Sequence, residues 1–467
     1  MRKCSYGLYS LSNPVSQGES QQMSESFDLL ITGGTLVNHD GIGPGDVGVR
    51  DGKIVAIGDL GRADAGKRVD ATGLHVLPGV IDTQVHFREP GPTHKEDLES
   101  GSRAAVLGGV VGVFEMPNTS PTTSSVEALA HKLSLAKGRM HCDHAFYAGA
   151  TNDNADVLPD LERVPGCAGV KVFMGASTGS LLVADDAGVS RVLAAISRRA
   201  AFHCEDEMRL NDRKKLAREG DWSSHPEVRD AKAALLATQR LIRLAREAGK
   251  RVHVLHVSTA EEMAFLQAQK DIATVEVTPQ HLTLRAPDCY ENIQGRAQMN
   301  PPIRTNDHRT ALWSALRLGV VDVIGSDHAP HTLEEKAKPY PASPSGMPGV
   351  QSLVPIMLDH VNKGRLTLQR FVDLTSAGPK RIFGLAGKGR MAVGYDADFT
   401  LVDMKAVRVI TDADSASKSG WTPFDGKTVT GWPMATIIRG QSVMRDGALE
   451  SAGQGKPIYF EEALAEK

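Results

Sequence analysis

The segment Ile81-Asp82-Thr83-Gln84-Val85-His86-Phe87-Arg88-Glu89-Pro90-Gly91 directly follows an apolar run that begins at Leu74. Residues two apart in a β-strand share a face. The alternation therefore predicts one polar face, made of Asp82, Gln84, His86 and Arg88. The opposite face is predicted to carry Ile81, Thr83, Val85 and Phe87. A strand end that presents an imidazole, an amide and charged groups to one side is typical of a functional site.

Short apolar stretches of this kind recur after residue 86, and each is followed by a polar loop and a helical pattern. They cover residues 110–118, 144–150, 166–175, 199–206, 251–258, 273–282 and 321–331. Together with residues 80–86 they give eight β/α units, which predicts an α/β fold, a (β/α)8 TIM barrel over residues 77–387. One predicted helix spans residues 226–248 and ends at Gly249.

The two ends of the chain have a different character. Residues 27–76 and 388–467 are rich in short β-type runs with turns such as Asp51-Gly52 and Asp446-Gly447, which predicts a small β-sandwich formed jointly by both termini. Residues 1–26 are rich in Ser and Gln and are predicted to be a disordered leader.

Composition excludes several classes of protein. The formal net charge of −3 argues against a general nucleic-acid binder. No run approaches the ~20 apolar residues of a membrane span. The five cysteines have no CxxC spacing, which indicates a reducing compartment and predicts a cytoplasmic protein.

Ligand-type side chains lie at the ends of several predicted strands. They are His86, Lys171, His203, His256 and Asp327. Histidine nitrogens and carboxylate oxygens are common zinc ligands. Each residue alone has an ordinary explanation: a structural histidine, a surface lysine or a turn-forming aspartate. Their joint occurrence on different strands of one barrel favours a metal site.

The ordered motifs DxQxHxREPG, MPNT, KVFMG, HCEDE, HVST, MNPPIR and SDHAPH resemble the amidohydrolase superfamily, and within it the dihydroorotases. The resemblance runs from about Gly79 to the C-terminal β-rich segment. It implies a metal-dependent (β/α)8 barrel with a β-sandwich. It also implies reversible hydrolysis of the cyclic amide of dihydroorotate to N-carbamoyl-L-aspartate in pyrimidine (UMP) biosynthesis. Relatives of this kind form homodimers or tetramers.

The resemblance also implies residue roles. Lys171 matches a carboxylated lysine that bridges two metals, and His86 matches one first-strand ligand. His203 and His256 match the ligands of the second metal, while Asp327 matches a metal contact that shuttles the proton. One or two Zn2+ ions per chain are implied, with other divalent metals as alternatives.

A separate group of residues matches the substrate contacts of dihydroorotases. Arg88, Asn118 and His331 match contacts to the substrate carboxylate, and Asn300 matches a contact to the pyrimidine ring. A guanidinium binds a carboxylate through two parallel hydrogen bonds. The ordinary alternative for Arg88 is a salt bridge to Glu89 or Glu96.

Gln84 departs from the pattern, because the family has histidine there. A carboxamide oxygen is a weaker ligand than imidazole, so three hypotheses remain: two metals with Gln84 as an uncertain ligand, one firmly held metal, or a silent subunit that assembles with aspartate transcarbamoylase. A silent subunit would be expected to lose several ligands. The chain retains four that favour catalysis, namely Lys171, His203, His256 and Asp327. A related cyclic amidase (hydantoinase, dihydropyrimidinase or allantoinase) is a further alternative.

Several neighbouring residues receive secondary assignments. His253 is predicted to pack, Glu205 to support His203 rather than bind metal, and His328 to point away from the site. Residues 332–345 are rich in Lys, Glu and Pro, and a solvated crossover is favoured over a mobile lid.

Overall fold

The computed structural model describes residues 26–176 and 181–464. Except for Ser26, the predicted leader lies outside the described residues. The described strands are β1 (Phe27–Asn38), β2 (Gly41–Arg50), β3 (Lys53–Gly58), β4 (Ala65–Asp70), β5 (His75–Pro78), β6 (Val80–Val85), β7 (Val110–Glu115), β8 (Asp143–Gly149), β9 (Cys167–Phe173), β10 (Ala200–His203), β11 (Val252–Val254), β12 (Ala273–Val277), β13 (Val323–Ile324), β14 (Phe399–Ile410), β15 (Lys427–Ile438), β16 (Gln441–Arg445) and β17 (Ala448–Leu449).

The described α-helices are α1 (Leu98–Leu107), α2 (Val126–Ala136), α3 (Leu158–Arg163), α4 (Asp186–Ala195), α5 (Glu207–Arg213), α6 (His225–Val228), α7 (Ala231–Ala248), α8 (Ala260–Gln267), α9 (Pro279–Thr283), α10 (Asp288–Ile293), α11 (Asn306–Arg317), α12 (Leu333–Lys336), α13 (Leu353–Asn362), α14 (Leu368–Val372), α15 (Gly378–Phe383) and α16 (Glu461–Leu464). None of the helices within residues 26–176 and 181–464 has both the length and the apolar character that crossing a bilayer requires.

Strands β6 to β13 form a parallel barrel in strict chain order. A parallel bridge between Val85 and His328 connects the first strand to the segment just after the last. Each of the eight predicted strand segments contains one of these strands, so the TIM-barrel prediction is confirmed. Because the strands are parallel and sequential, all of their C-terminal ends meet at one rim.

The first barrel strand is irregular where the sequence suggested simple alternation. The pairing of β6 with β7 shifts register between Asp82 and Val85, which marks a bulge. Thr83, predicted to face away from the polar side, instead donates from its hydroxyl to Glu276 on β12 at 2.6 Å. The predicted orientation of Thr83 is therefore wrong, because a bulge changes the side to which the following residues point.

The predicted helix over residues 226–248 is two helices. Helix α6 ends at Val228, and α7 begins at Ala231 because Asp230 caps it by accepting a hydrogen bond from the backbone N–H of Ala233. The predicted stop is confirmed, since Gly249 adopts the left-handed φ of 64°. The break turns Arg229 toward Glu205 beneath the site.

The two chain ends build one nine-stranded sheet that encloses its own apolar cluster. Its continuous path runs β17-β16-β15-β14-β5-β1-β2-β3, with β4 paired to β1. The turns Asp51-Gly52 and Asp446-Gly447 both have positive φ at their two residues, as a tight type I′ hairpin requires. Between β14 and β15 the chain leaves the sheet and packs on the barrel, where Trp421 is fully buried.

Candidate metal and active site

A cleft of about 330 Å³ opens among the C-terminal strand ends. Seven of the residues singled out from the sequence line it: Gln84, His86, Lys171, His203, His256, Asn300 and Asp327. Phe173, Ala329, Ser345 and Gly346 complete the wall. The structure thus brings the five proposed metal ligands and the uncertain Gln84 into one cavity.

In one half of the cleft, Asp327 contacts both His86 and Gln84. Its Oδ1 lies 3.2 Å from Nε2 of His86 and accepts a 2.9 Å hydrogen bond from Nε2 of Gln84. The other ring nitrogen of His86, Nδ1, is 2.8 Å from Oδ1 of Asn118. An N–H on Nδ1 that donates to Asn118 leaves Nε2 with a lone pair directed at the cleft.

His203 and His256 form the other half. Nδ1 of His203 is 3.0 Å from Nε2 of His256. On its far side, Nε2 of His203 lies 2.9 Å from Oε2 of Glu205, a close electrostatic contact without aligned hydrogen-bond geometry. Arg229 donates to both oxygens of Glu205 and holds the pKa of that carboxyl far below its usual range, despite burial. Glu205 is therefore a support for His203, in keeping with its predicted role.

Lys171 on β9 is 1% exposed. Its Nζ lies 4.1 Å from the centroid of the Phe173 ring and donates to the backbone carbonyl of Val172 at 3.3 Å. Burial lowers the pKa of Lys171 to about 7. A substantial fraction of neutral amine is therefore present near neutral pH, and only the neutral amine has a lone pair that can attack carbon dioxide.

Three residues of the site hold left-handed backbone conformations that side chains rarely adopt. The φ angles are 64° at Arg88, 37° at His256 and 46° at Asp327. Such conformations cost about 1–3 kcal/mol each and persist where the surroundings enforce them. They lie two or three residues after β6, β11 and β13, and His256 and Asp327 line the cleft.

The donor set fits a divalent cation once Lys171 is included. In the described part of the chain, no three His, Cys, Asp or Glu side chains form a metal site by themselves. The acidic and imidazole donors instead form two pairs, His86 with Asp327 and His203 with His256. Burial lowers the pKa of His86, His203 and His256, which keeps these rings neutral and able to bind metal. The buried Oε1 of Gln84 has no hydrogen-bond partner among the described residues, so a neutral oxygen donor is also available.

Comparison with known proteins places this arrangement in a family. The model of the amidohydrolase family matches residues 75–443, and that of the urease alpha-subunit N-terminal domain matches residues 5–78. A dihydroorotase of Methanosarcina acetivorans is 36% identical over 446 residues, which are 92% of this chain and 95% of the relative. The chain belongs to the amidohydrolase family.

Other relatives of this amidohydrolase carry different names. An allantoinase of Rubrobacter xylanophilus is 35% identical over 447 residues, covering 92% of this chain and 97% of its own. The solved L-hydantoinase (dihydropyrimidinase) of Arthrobacter aurescens is 31% identical with a TM-score of 0.89, and the match covers 93% of this chain and 100% of that one. Overall similarity therefore fixes the family, and the residues around the metal site must decide the substrate.

The side chains predicted to hold a substrate carboxylate lie next to the cleft. Arg88 is 5% exposed, donates through Nε to the backbone carbonyl of Pro330 at 3.3 Å, and places Nη2 3.4 Å from Nε2 of His331. The alternative salt bridges of Arg88 are wrong, because Glu89 pairs with Arg139 and Glu96 contacts His328. Burial lowers the pKa of Arg88 to about 10, so the amidohydrolase keeps this cation at neutral pH.

The two asparagines have partners of their own. The Oδ1 of Asn118 faces His86, as described above, and Oδ1 of Asn300 is 3.1 Å from Nε2 of His225. The predicted contacts of Asn118 and Asn300 to substrate stay predictions. Asn300 lines the cleft, and Asn118 contacts His86, which also lines it.

Sequence reasoning missed Lys95. Its Nζ lies 3.0 Å from Nδ1 of His331 and 2.9 Å from Oε1 of Glu335. Nε2 of His331 lies 3.0 Å from the backbone carbonyl of Ser345, so Nδ1 is the ring atom that accepts from Lys95. Lys95 lies in a loop without periodicity, and the only available signal was its position seven residues after Arg88.

The segment 332–345 combines exposed positions with a buried anchor, so the favoured prediction of a solvated crossover holds for about half of its residues. Lys336 is buried, and its Nζ donates to the backbone carbonyls of Gln298, Pro344 and Gly346. Trp421 donates to the carbonyl of His331 at 2.7 Å, at the start of the same segment. The segment is therefore anchored to the barrel at Lys336, and Ser345 at its end lines the cleft together with the adjacent Gly346.

The other two histidines singled out from the sequence are structural. His253 is fully buried, with Nδ1 2.8 Å from the Thr274 hydroxyl and its ring against Phe383. His328 accepts a hydrogen bond at Nδ1 from the backbone N–H of Gly349 and lies 3.3 Å from Glu96 through Nε2. Both predictions, packing for His253 and a direction away from the candidate site for His328, are confirmed.

A buried acid beneath the cleft predicts a pH-dependent stability. Glu276 is completely buried, and burial raises its pKa from 4.5 to about 8. The folded protein therefore retains a proton that the unfolded chain releases, and stability falls as the pH rises through this interval. Glu276→Gln removes the titration and keeps an acceptor for Thr83. Between pH 5 and 8, the free energy of unfolding measured with urea should fall by roughly 2 kcal/mol more for the wild type than for the variant. Parallel stability profiles would contradict this expectation.

Proposed function

We propose that this amidohydrolase is a zinc-dependent dihydroorotase, which interconverts dihydroorotate and N-carbamoyl-L-aspartate. One observation carries the proposal: the buried cation Arg88 stands beside the metal-type donors, and no carboxylate of the described residues lies within ion-pair distance of it. A buried charge without a partner of opposite charge in contact with it is costly. The carboxylate of dihydroorotate is a ligand that offsets that cost and places the ring amide at the cleft.

The proposed metal ligands are Lys171 (in carboxylated form), His203, His256, His86 and Asp327. A bound zinc ion supplies Lewis-acid polarisation of a carbonyl and lowers the pKa of a contacting water toward ~7. The Lys171 amine, neutral in part near pH 7, adds through Nζ to carbon dioxide and releases a proton, which gives a carbamate whose single negative charge is shared by two oxygens. Glu205 keeps His203 in one orientation throughout.

Proton transfer is assigned to Asp327. Gln84 donates to Oδ1 of Asp327 and so fixes the rotation of the carboxylate. In this orientation, the carboxylate of Asp327 accepts a proton. It then passes the proton to the amide nitrogen that departs when the ring opens. Arg88 and His331 hold the substrate carboxylate and thereby fix the distance between the amide and Asp327.

The competing proposals are a cyclic amidase for neutral rings and a silent partner of aspartate transcarbamoylase. The allantoinase from Rubrobacter and the hydantoinase fold neighbour favour the first. Against it stands the buried cation Arg88, which a neutral ring does not need; Lys95 is already paired with Glu335. Against the second stand the ligand-type residues that all face one cleft.

A substrate comparison tests the proposal. Purified protein with zinc should hydrolyse dihydroorotate with a kcat/KM about 10- to 100-fold above that for allantoin, dihydrouracil or hydantoin, because a charged hydrogen bond contributes about 1.5–3 kcal/mol. The reverse reaction from N-carbamoyl-L-aspartate should also proceed. Faster turnover of allantoin would favour the neutral-ring amidase, and no turnover of any substrate would favour the silent subunit.

Gln84 sets the expected number of metal ions. We expect one zinc to remain per chain after dialysis, because the pair of His86 and Asp327 is completed only by a weak carboxamide oxygen. Gln84→His supplies an imidazole nitrogen, and the metal content measured by plasma mass spectrometry should rise to roughly two per chain. Gln84→Asn is the matched control and should stay at one. A wild type that already retains two ions would refute the assignment of Gln84 as a weak donor.

The remaining features of the proposal follow from the same relatives. The protein is proposed to act in pyrimidine biosynthesis in the cytoplasm, as a homodimer or homotetramer. Size-exclusion chromatography with light scattering measures the oligomeric state directly.

A further inference from the structure

A second and larger cleft lies at the opposite end of the barrel from the candidate active site. Its volume, open solvent included, is about 1,360 Å³. It lies where β9, β10 and β11 begin, beside helices α15 and α16. Its charged lining comprises six cations, Arg198, Arg199, Lys250, Arg251, Lys380 and Arg381, against two carboxylates, Glu461 and Glu462. In a chain whose net charge is −3, this is a pronounced local excess of positive charge.

Two of these cations are neutralised locally. Lys380 lies 2.8 Å from Glu461, and Arg381 lies 3.0 Å from Asp373. The other four cations, Arg198, Arg199, Lys250 and Arg251, have no carboxylate within 4 Å among the described residues. The excess charge is therefore concentrated on the two short segments that precede β10 and β11.

Neutral groups hold most of these cations in place. Arg198 donates to the carbonyl of Cys167 at 2.9 Å and lies over the ring of Phe460. Arg199 donates to the hydroxyl of Thr274 at 2.9 Å, and Lys250 donates to the carbonyl of Ile196 at 2.5 Å. Such contacts orient the cationic groups without neutralising them.

Arg199 and Arg251 repel one another across the cleft. Burial, together with the charge of Arg251, lowers the pKa of Arg199 to about 10, while Asp322 and Glu462 act in the opposite direction. Arg251 is exposed, with no hydrogen-bond or carboxylate partner among the described residues. Like charges held together in this way lower the stability of the free protein and favour a bound anion.

We propose that this cleft binds a small, multiply charged anion of the phosphate type, with Arg199, Lys250 and Arg251 as its principal contacts. Guanidinium groups bind phosphate oxygens through paired hydrogen bonds, and an ammonium adds a point charge. The volume of the cleft exceeds that of a free phosphate or of the phosphate end of a nucleotide. The same strands that start here end at Lys171, His203 and His256, so the anion would bind at the opposite end of strands that carry proposed metal ligands.

Calorimetric titration of the full chain with inorganic phosphate, at constant ionic strength and pH 7.5, tests the site. Arg251→Ala should weaken phosphate binding at least about tenfold, because a charge-assisted contact is lost. Arg62→Ala, which removes an exposed arginine from the loop between β3 and β4, is the matched control and should bind as the wild type does. Absence of phosphate binding, or equal affinity in Arg251→Ala and the wild type, would overturn the proposal.

Adenosine monophosphate and adenosine distinguish the two sources of phosphate. Monophosphate binding tighter than that of inorganic phosphate identifies a nucleotide site, and equal binding identifies a site for free phosphate; both support the proposal. Adenosine binding as tightly as the monophosphate would refute it, because the phosphate would then contribute nothing. Turnover by Arg251→Ala should equal that of the wild type, which shows that the active site is intact.

Discussion

Replacing Lys171 with alanine is expected to lower kcat for dihydroorotate at least about a thousandfold, a barrier increase of ~4 kcal/mol. The reason is that the remaining donors form only two separate pairs, His86 with Asp327 and His203 with His256. Without Lys171 no described group connects these pairs. Zinc content, measured after dialysis by plasma mass spectrometry, should fall to near zero in the same variant.

Two controls separate this loss from unfolding. The variant removes a buried amine, so its circular dichroism spectrum and urea midpoint must be compared with those of the wild type. A short carboxylate such as propionate should then restore part of the zinc content and turnover, since it supplies the two anionic oxygens that the proposed carboxylated lysine provides. Wild-type turnover or wild-type zinc content in Lys171→Ala would refute the proposed metal site.

Much of this barrel could be predicted because its strands obey a simple rule. Parallel strands are buried on both sides, so they appear as short apolar runs, and functional groups gather where those runs end. His86, Lys171 and Asp327 each follow or end such a run. To predict that these residues converge in one cleft therefore required only the number of strands and their order in the chain.

The parts that could not be predicted depend on local irregularity. A bulge in β6 turned Thr83 toward Glu276, and nothing in the alternation of residues 81–87 indicates a bulge. The burial of Lys336 depends on three carbonyls that are distant in sequence or in irregular loops. A polar composition predicts solvent exposure only when the fold offers no such partners.

The same limit applies to the substrate side of the site. Arg88 could be singled out from its position two residues after His86, but its left-handed backbone carries it out of simple strand alternation. Lys95 could not be singled out, because loop residues have no periodic signal. The cationic environment therefore became visible only when the loops were placed in space.

The buried guanidinium of Arg88 gives the second prediction with a large expected effect. Arg88→Met should lower kcat/KM for dihydroorotate by about 10²–10³, because the variant loses a charge-assisted contact and leaves the substrate carboxylate without its principal partner in a buried site. The rate on dihydrouracil, which has no carboxylate, should change by less than about threefold. Methionine keeps an apolar stem like that of the arginine side chain and removes the guanidinium group. The measurement is steady-state kinetics on both substrates with zinc-loaded protein.

Arg88→Lys and Arg317→Met complete the experiment. Lysine retains the charge but cannot form two parallel hydrogen bonds, so an intermediate loss of about tenfold is expected for dihydroorotate. Arg317 lies on the exposed side of α11, and Arg317→Met should leave both substrates unaffected. If Arg88→Met lowered the two rates equally, Arg88 would act through the fold or through Asp327 and not through the substrate carboxylate. The case for dihydroorotate over a neutral ring would then lose its main support, while the metal site at Lys171 would stand.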